Sequence, residues 1–256
     1  METALQPILD VRDVHRDFGG LKAVDGASFT ALRSHVTGVI GPNGAGKSTL
    51  LGIIAGAIKP GSGTVTFDGK DVTGLPPNQI ARRGIVRTFQ LSAEFSKLTV
   101  LENLLVAAPG QKGESLLGAE LGRLYWGPSE DALVDTARDV LERFAMTPKE
   151  NELAGNLSGG QKRLLEIMRA LMAKPKMLLL DEPFAGVNPT LAREIEQYLL
   201  GLRDEGLSMI MVEHELGVVE RLCDPVVVMA QGRVISEGTM RDVTARQEVL
   251  DAYLVG

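Results

Sequence analysis

Residues 41–48 read GPNGAGKS, a pattern with the residue types and spacing of a phosphate-binding loop. Its glycines let successive backbone N–H groups turn inward around an anion, and a helix that begins near Lys47 adds the positive end of its dipole. Lys47 can reach the β- and γ-phosphates of a nucleotide, and Ser48 can offer its hydroxyl to Mg²⁺. A glycine-rich turn without function is the alternative. It is disfavoured because the loop lies between a predicted strand and a predicted helix, as phosphate binding requires. The nucleotide-binding residues predicted here are Gly41, Pro42, Asn43, Gly44, Ala45, Gly46, Lys47, Ser48 and Thr49.

Two adjacent carboxylates follow a second apolar run, Met177 to Leu180. Asp181 is predicted to hold Mg²⁺, directly or through its waters. Glu182, one residue further, can polarise an attacking water as a general base. Alone, such a pair is more ordinarily a solvated end of a strand. Together with the upstream loop, it indicates the second half of a site that hydrolyses a nucleotide.

Residues 157–161 read LSGGQ and raise a different question. Ser158, with Gln161 three residues later, is typical of a capping box at a helix start. Between them stand Gly159 and Gly160, and glycine is the poorest helix former after proline. Two glycines in a first turn that is already well capped suggest that a ligand must come close to this backbone.

The elements that would position these residues can be predicted from periodicity and turn residues. Continuous apolar strands alternate with helices, which indicates an α/β core with a mostly parallel sheet covered on both faces. The sequence pattern between about residues 91 and 160 is mostly that of helices, which indicates a helical insertion into that core. The predicted strands are Ile8–Val11, Ala27–Thr30, Val36–Ile40, Thr64–Phe67 before an Asp68-Gly69 turn, and the runs within 176–181, 208–213 and 225–230. The predicted helices include Leu50–Ile58, stopped by Lys59-Pro60-Gly61, and one that Ser129 caps, after a glycine-rich loop or insertion from Pro109 to Pro128.

Composition excludes several classes of function. The net charge of −6 and the isoelectric point near 5.2 argue against a nucleic-acid partner, which needs a basic surface. Cys223 is the only cysteine of the 256 residues, so a reducing compartment is expected. No run approaches about 18 consecutive apolar residues, and Met1 to Asp10 lacks the pattern of a signal peptide. Any role at a membrane is therefore expected to come through a partner.

LSGGQ, together with the loop at 41–48 and the acidic pair, resembles the nucleotide-binding subunits of ATP-binding-cassette (ABC) transporters. The resemblance implies one P-loop ATPase domain over residues 8–256, with a mostly parallel sheet, an antiparallel β subdomain and a helical subdomain inserted at about 91–160. It also implies ATP and Mg²⁺ as cofactors. In this family LSGGQ faces the γ-phosphate bound by the other chain of a head-to-tail dimer, which would explain the glycines. The residues that this motif is expected to bring to the partner's ATP are Ser158, Gly159, Gly160 and Gln161.

Four further residues match the family by position. Gln90, in RTFQ, resembles the glutamine that reaches Mg²⁺ and the attacking water. His214, in VEHEL, resembles the histidine that contacts the γ-phosphate; a histidine merely hydrogen-bonded at a strand end is the alternative. Phe18 has the spacing of the aromatic residue that stacks on adenine, with a plain core residue as the alternative. Val24 is expected to pack on the same adenine face.

One stretch departs from the pattern of the family as a whole and, with several other motifs, resembles a narrower group within it. FAGVNPT places Asn188 where most members carry an aspartate, which keeps hydrogen bonding but loses the charge. AGVNP, FGGLKAV, RTFQ, VEHEL and the final DAYLVG resemble the ATPases of branched-chain (hydrophobic) amino-acid importers and their urea- or amide-importing relatives. This implies transmembrane permease partners, a second ATPase chain that is identical or different, no direct membrane insertion, and a cytoplasmic position on the inner face of the membrane.

Other classes of nucleotide hydrolase fit less well. ABC ATPases of translation or DNA maintenance usually carry two cassettes or a long coiled coil, and this chain has one cassette and no sustained heptads. A P-loop kinase or small GTPase would have no use for LSGGQ or His214. The resemblance therefore implies ATP-driven closure of a dimer that switches a transmembrane partner.

Overall fold

The computed structural model describes residues 7–88, 95–109 and 123–255, and these form two compact units. The first unit takes the described parts of residues 1–87, 175–185 and 196–256, and the second those of residues 88–174 and 186–195. Gln90 lies outside the described residues, as do residues 110–122 of the predicted loop.

The strands are β1 (Pro7–Phe18), β2 (Leu21–Leu32), β3 (Val36–Ile40), β4 (Ser62–Phe67), β5 (Lys70–Asp71), β6 (Ile85–Arg87), β7 (Met177–Asp181), β8 (Ser208–Val212), β9 (Val226–Ala230) and β10 (Arg233–Gly238). The α-helices are α1 (Lys47–Ile54), α2 (Pro77–Arg83), α3 (Val100–Ala107), α4 (Arg123–Arg143), α5 (Gly159–Leu171), α6 (Pro189–Asp204), α7 (Leu216–Leu222), α8 (Met240–Thr244) and α9 (Gln247–Val255).

Within the described residues the strands of the first unit form two sheets. One is antiparallel with the order β2-β1-β4-β5, and the other has the order β10-β9-β3-β8-β7-β6 and is parallel except between β9 and β10. Every residue of β3, β7 and β8 is buried, as expected for parallel strands covered on both faces. The predicted α/β fold, with a mostly parallel sheet and an antiparallel sheet beside it, is confirmed.

An apolar core joins the two sheets of the first unit. It takes side chains from β1 and β2, from α1, and from the parallel strands β3, β7, β8 and β9. Leu50, Leu51 and Ile54 of α1 are fully buried within it. Burying side chains of this size stabilises a fold by about 1.5–3 kcal/mol each, so α1 is held firmly where it leaves the loop at 41–46.

The second unit is mainly helical. Helices α3, α4 and α5 pack against one another. Thr99 and Glu102 form a capping box at the start of α3. Asn103, which has no exposed surface, accepts a hydrogen bond from Phe95 N and donates to the carbonyl oxygens of Phe95 and Thr99. These bonds satisfy the amide and fix the segment that precedes α3.

Two predicted helix boundaries are wrong. Helix α1 ends at Ile54 rather than Ile58, because Gly56 adopts a left-handed φ of 73° and its N–H bonds back to Ile53 O, a common way to end a helix. Helix α4 runs from Arg123 through Ser129, so Ser129 does not begin it. The proline at position 128 removes one backbone donor but does not break this helix.

The strands of the antiparallel sheet are longer than predicted. Polar residues follow Val11 in the sequence, yet β1 continues to Phe18 through irregular register and a left-handed Asp13. Such bulges let a strand continue where simple alternation fails. No helix in residues 7–88, 95–109 and 123–255 is long and apolar enough to cross a membrane.

The predicted turn at Asp68-Gly69 joins β4 to β5 and carries an ion-pair network. The Asp68 carboxylate pairs with Arg33, and with Lys176 at 2.7 Å between Nζ and Oδ2. The hydrogen bonds from Lys176 and Arg33 lower the pKa of Asp68 from 3.8 to about 2. The network ties the antiparallel sheet to the segment that leads into β7.

We expect Asp68→Asn to lower the free energy of unfolding at pH 7 by about 1 kcal/mol, since solvent screens these partly exposed charges. The folded pKa lies below the unfolded one, so this stabilisation is present above about pH 4 and is lost as the pH falls toward 2. Urea unfolding at pH 7 and pH 2.5 measures the difference. In a Lys176→Met background the substitution should have a smaller effect. An equal loss at both pH values would contradict the assignment.

Candidate functional site

The loop between β3 and α1 is fixed by close backbone contacts. Gly41 and Gly46 adopt φ values of 148° and 98°. A Cβ atom at Gly41 would lie 2.0 Å from the carbonyl oxygen of Met229, and one at Gly46 would lie 2.2 Å from that of Ala23. Main-chain atoms cannot move aside as a side chain can, so these two positions require glycine.

The N-terminus of α1 is open to an anion. Its N-cap residue, Gly46, has no side chain and makes no capping hydrogen bond. The N–H groups of the first turn, from Lys47 to Thr49, therefore lack the side-chain acceptor that most helices supply. An anion held by the loop would satisfy them and would also favour the positive end of the helix dipole.

Lys47 brings a buried positive charge to the same place. Its side chain is almost fully buried, and Nζ donates to the carbonyl oxygens of Gly41 at 2.7 Å and Pro42 at 2.9 Å. Burial lowers the pKa of Lys47, while the carboxylates of Glu182 and Asp181 act in the opposite direction. The ammonium therefore closes the loop on itself in this structure and is positioned to oppose the charge of a bound phosphate.

Most of the predicted residues of the first unit line one cavity of about 390 Å³. The loop and α1 form one side, and Phe18, Glu182 and His214 contribute from elsewhere in the chain. Gly41 and Pro42 lie outside the lining and contribute their carbonyl oxygens to Lys47. The lining residues are Phe18, Leu21, Lys22, Ala23, Asn43, Gly44, Ala45, Gly46, Lys47, Ser48, Thr49, Glu182 and His214.

The two residues predicted to contact adenine, Phe18 on β1 and Val24 on β2, lie in different surroundings. Phe18 is 43% exposed and borders the cavity, so it is not a core residue. The Arg16 guanidinium lies 4.6 Å from the centre of its ring, a cation–π contact that uses only one face. Val24 has no exposed surface and belongs to the core, so the predicted contact with adenine is not open to it. Leu21, 70% exposed opposite Phe18, lines the cavity instead; no sequence pattern singled it out.

Asp181 is buried at the end of β7, and its two carboxylate oxygens differ in their hydrogen bonding. Its Oδ2 accepts a hydrogen bond from Arg87 Nη2 at 2.6 Å. Its Oδ1 is buried and has no hydrogen-bond partner among the residues that the structure describes. An unpartnered buried carboxylate oxygen is costly, and a hard divalent cation is the ligand that suits it, so the residue fits the predicted Mg²⁺. Sequence analysis missed Arg87, although it stands in the same RTFQ segment as Gln90.

Glu182 and His214 meet at the ends of two neighbouring strands. His214 Nε2 and Glu182 Oε1 are 2.9 Å apart and share a hydrogen bond. Glu182 has a left-handed φ of 50°, and its N–H donates to Val212 O at 2.9 Å. The ring of His214 therefore contacts the carboxylate that borders the cavity, and both side chains line it.

The LSGGQ segment belongs to the second unit and has the predicted capping box. Ser158 Oγ accepts from Gln161 N at 3.3 Å, and Gln161 Oε1 accepts from Ser158 N at 3.0 Å. A Cβ at Gly160 would lie 2.3 Å from Leu191 Cδ2, so this glycine packs closely against the Leu191 side chain. A Cβ at Gly159 would meet no atom of the described residues within 4 Å. Packing among the described residues therefore does not account for Gly159.

Asn188, the departure from the family pattern, has a local role. Its Oδ1 accepts a hydrogen bond from Leu191 N at 3.0 Å. This is the geometry of an N-cap, with Pro189 at the first helical position of α6. Asparagine and aspartate cap helices about equally well, so the lost charge leaves this function intact.

Comparison with known proteins agrees with the geometry. A family model described as ABC transporter matches residues 24–185. An Archaeoglobus fulgidus protein named as a probable branched-chain amino acid transport ATP-binding protein, LivG, is 41% identical over 247 residues, which cover 96% of this chain and 95% of that protein. A Pseudomonas aeruginosa protein named as a high-affinity branched-chain amino acid transport ATP-binding protein, BraF, is 37% identical over 97% of this chain and 98% of its own.

A solved structure extends the comparison to the fold. The crystal structure of the ADP conformation of an ATP-binding cassette of an ABC transporter superposes with a TM-score of 0.86 at 39% identity. The match covers 98% of this chain and all of that one. With the family model, the end-to-end relatives and the fold in agreement, this chain belongs to the ABC transporter family, as one of its ATP-hydrolysing, nucleotide-binding subunits.

Proposed function

We propose that this chain hydrolyses Mg²⁺-ATP to drive the import of branched-chain or other hydrophobic amino acids. The observation that carries the proposal is the cavity where the loop at 43–49 meets Glu182 and His214. The relatives named as branched-chain amino acid transport ATP-binding proteins support the solute class.

The residues around the cavity have distinct roles in this proposal. Lys47 and the open N-terminus of α1 bind the phosphates, and Phe18 stacks on adenine with the ring face that Arg16 leaves free. Ser48, Asp181 and Gln90 hold Mg²⁺, which neutralises phosphate charge when bound. Support for the metal comes from the unpartnered Oδ1 of Asp181.

Hydrolysis uses the pair at the ends of β7 and β8. A water oxygen bonds to the γ-phosphorus, its proton passes to Glu182, and the bond from that phosphorus to the bridging oxygen of ADP breaks. His214 orients Glu182 through their 2.9 Å contact and reaches the γ-phosphate. Among the described residues that line the cavity, Glu182 carries the only carboxylate.

The chain acts in a dimer in this proposal. Ser158 and Gly159 are exposed at the capped start of α5, and nothing within the described chain fills the space beside Gly159. Backbone N–H groups there can approach a γ-phosphate bound by a second chain, identical or different. Closure of the dimer around two ATP molecules then switches permease subunits, and the chain sits on the cytoplasmic face of the membrane through them.

We expect Glu182→Gln to bind ATP normally and to lose most hydrolysis, because the amide keeps the size and hydrogen bonding of glutamate but cannot accept the proton of water. The variant should accumulate as an ATP-bound dimer in size-exclusion chromatography with light scattering. Glu220→Gln, which changes an exposed carboxylate on α7, is the matched control and should turn over like the unmodified chain. Near-normal turnover by Glu182→Gln would remove it from the role of base.

Mixing two inactive variants tests the dimer. Lys47→Ala should lose ATP binding, whereas Gly159→Asp should bind ATP as a monomer but fail to close, because like charges in a closed interface cost several kcal/mol. In a mixed dimer one composite site joins both changes, and the other joins an intact loop to an intact LSGGQ. Mixing should therefore restore hydrolysis that neither variant shows alone.

Gly159→Ala is the control for this experiment, since the space beside Gly159 is open and the methyl group should leave the fold unchanged. Loss of ATP binding by monomeric Gly159→Asp would place the motif in the chain's own site and would contradict the dimer.

The solute class is tested with the purified complex of this chain and its permease subunits in liposomes that contain ATP. Uptake of radiolabelled leucine, through the complex's own solute-binding protein, should depend on ATP and disappear with Glu182→Gln. Urea and acetamide serve as competing solutes. Uptake of either of these without uptake of leucine or isoleucine would assign the chain to the urea- or amide-importing group instead.

A further inference from the structure

Glu213 is a buried carboxylate that the roles above do not use. It lies between the end of β8 and His214 and is 5% exposed. Buried carboxylates are rare unless a cation or several hydrogen-bond donors accompany them. Its immediate neighbours in the chain are the last residue of β8 and His214, so the group stands beside the proposed catalytic pair.

The partners of Glu213 are backbone N–H groups from two different loops. Oε1 accepts a hydrogen bond from Phe184 N at 3.0 Å, and Oε2 accepts one from His214 N at 3.1 Å. Burial raises the pKa of Glu213, while these N–H groups and that of Glu215 act in the opposite direction. One carboxylate therefore connects the loop after β7 with the loop after β8.

The hydrogen bonds of Glu213 lie just beyond the last residue pair of the ladder between β7 and β8. The parallel ladder between β7 and β8 ends at the pair Asp181 and Val212. Glu182 N still donates to Val212 O, but the left-handed φ of Glu182 then turns the chain out of the sheet. A non-glycine residue in that conformation is held by its surroundings. The hydrogen bond from Phe184 N to Glu213 Oε1 supplies such a restraint two residues after Glu182.

We propose that Glu213 is a positioning residue, which fixes the loop of Glu182 against the backbone of His214 and so sets the 2.9 Å contact between their side chains. The inference rests on the proposed roles of Glu182 and His214 in hydrolysis. Glutamate suits the position because each of its oxygens takes one N–H group. Glutamine would offer a single oxygen and turn an amide donor toward the other N–H group.

The alternative is that Glu213 only stabilises the fold. A change in stability alone would not alter the turnover number of the folded fraction, nor would it depend on His214. Positioning predicts a loss in kcat with little change in KM for ATP, because the nucleotide-binding loop and Phe18 do not involve Glu213. It also predicts that the loss in kcat depends on the presence of the His214 side chain.

The experiment compares steady-state ATP hydrolysis by the full chain and by Glu213→Gln. We expect kcat to fall roughly tenfold with KM within about twofold, as for an interaction that acts mainly in the transition state. In a His214→Ala background, the same substitution should lower kcat by much less, because the contact it sets is already gone. Glu196→Gln, which changes a carboxylate of similar burial paired with Arg221, is the matched control and should leave kcat unchanged.

Other outcomes separate the possible failures. If Glu182→Gln still hydrolyses ATP, the proposed catalytic role fails and the inference fails with it. If Glu182→Gln is inactive while Glu213→Gln has a normal kcat, or loses as much activity in the His214→Ala background as alone, only the inference is wrong. Should Glu213→Gln not fold, Glu213→Met removes the buried charge and the donor conflict together. Failure of both variants to bind nucleotide would make Glu213 a folding residue and overturn the proposal.

Discussion

Parallel pairing of β3, β8 and β7 is the constraint on which the candidate site depends. Val212 of β8 pairs with Val39 of β3 on one side and with Asp181 of β7 on the other. The carboxyl ends of the three strands therefore meet at one edge of the sheet, and the segments that follow them carry Lys47, at the start of α1, and Glu182 and His214. In a parallel sheet a slip of one residue would exchange the faces of a whole strand, so the buried register also fixes which side chains reach the cavity.

The same edge concentrates buried charge, and each charge is compensated in a different way. Lys47 is held by two carbonyl oxygens, Asp181 by Arg87, and Glu213 by backbone N–H groups. Buried charges stabilise a fold poorly even when they are paired. Such a cluster of buried charges at one edge of the sheet is typical of a functional site, where residues that do not favour stability are kept for chemistry.

The sequence allowed most of this arrangement to be predicted, for reasons that differ between its parts. The apolar runs of β3, β7 and β8 are fully buried, so composition alone identifies them, and the glycines and acids that follow mark their ends.

The ion pair of Arg87 with Asp181 shows a first limit of the sequence. It joins residues 94 positions apart, and only the order of the strands brings them together. Phe18 and Val24 show a second limit, because bulges in β1 and β2 disturb the alternation that would tell the cavity side from the core side. Helix boundaries show a third limit: the turn at Gly56 ends α1 before Lys59-Pro60-Gly61, and Ser129, a residue type common at helix starts, lies inside α4.

The contacts of Gly41 and Gly46 explain why the phosphate-loop motif specifies glycine at some positions and not at others. Gly44 also has a positive φ, but a Cβ there would meet no atom of the described part of the chain within 4 Å, and the motif leaves this position free. Asparagine or aspartate could occupy it at modest strain. At Gly41 and Gly46 the obstacles are carbonyl oxygens of Met229 and Ala23, which any residue at those two positions would present equally. The demand on the loop is therefore independent of the side chains at positions 23 and 229, so the two motif glycines reflect the path of the neighbouring backbone as well as the shape of a phosphate.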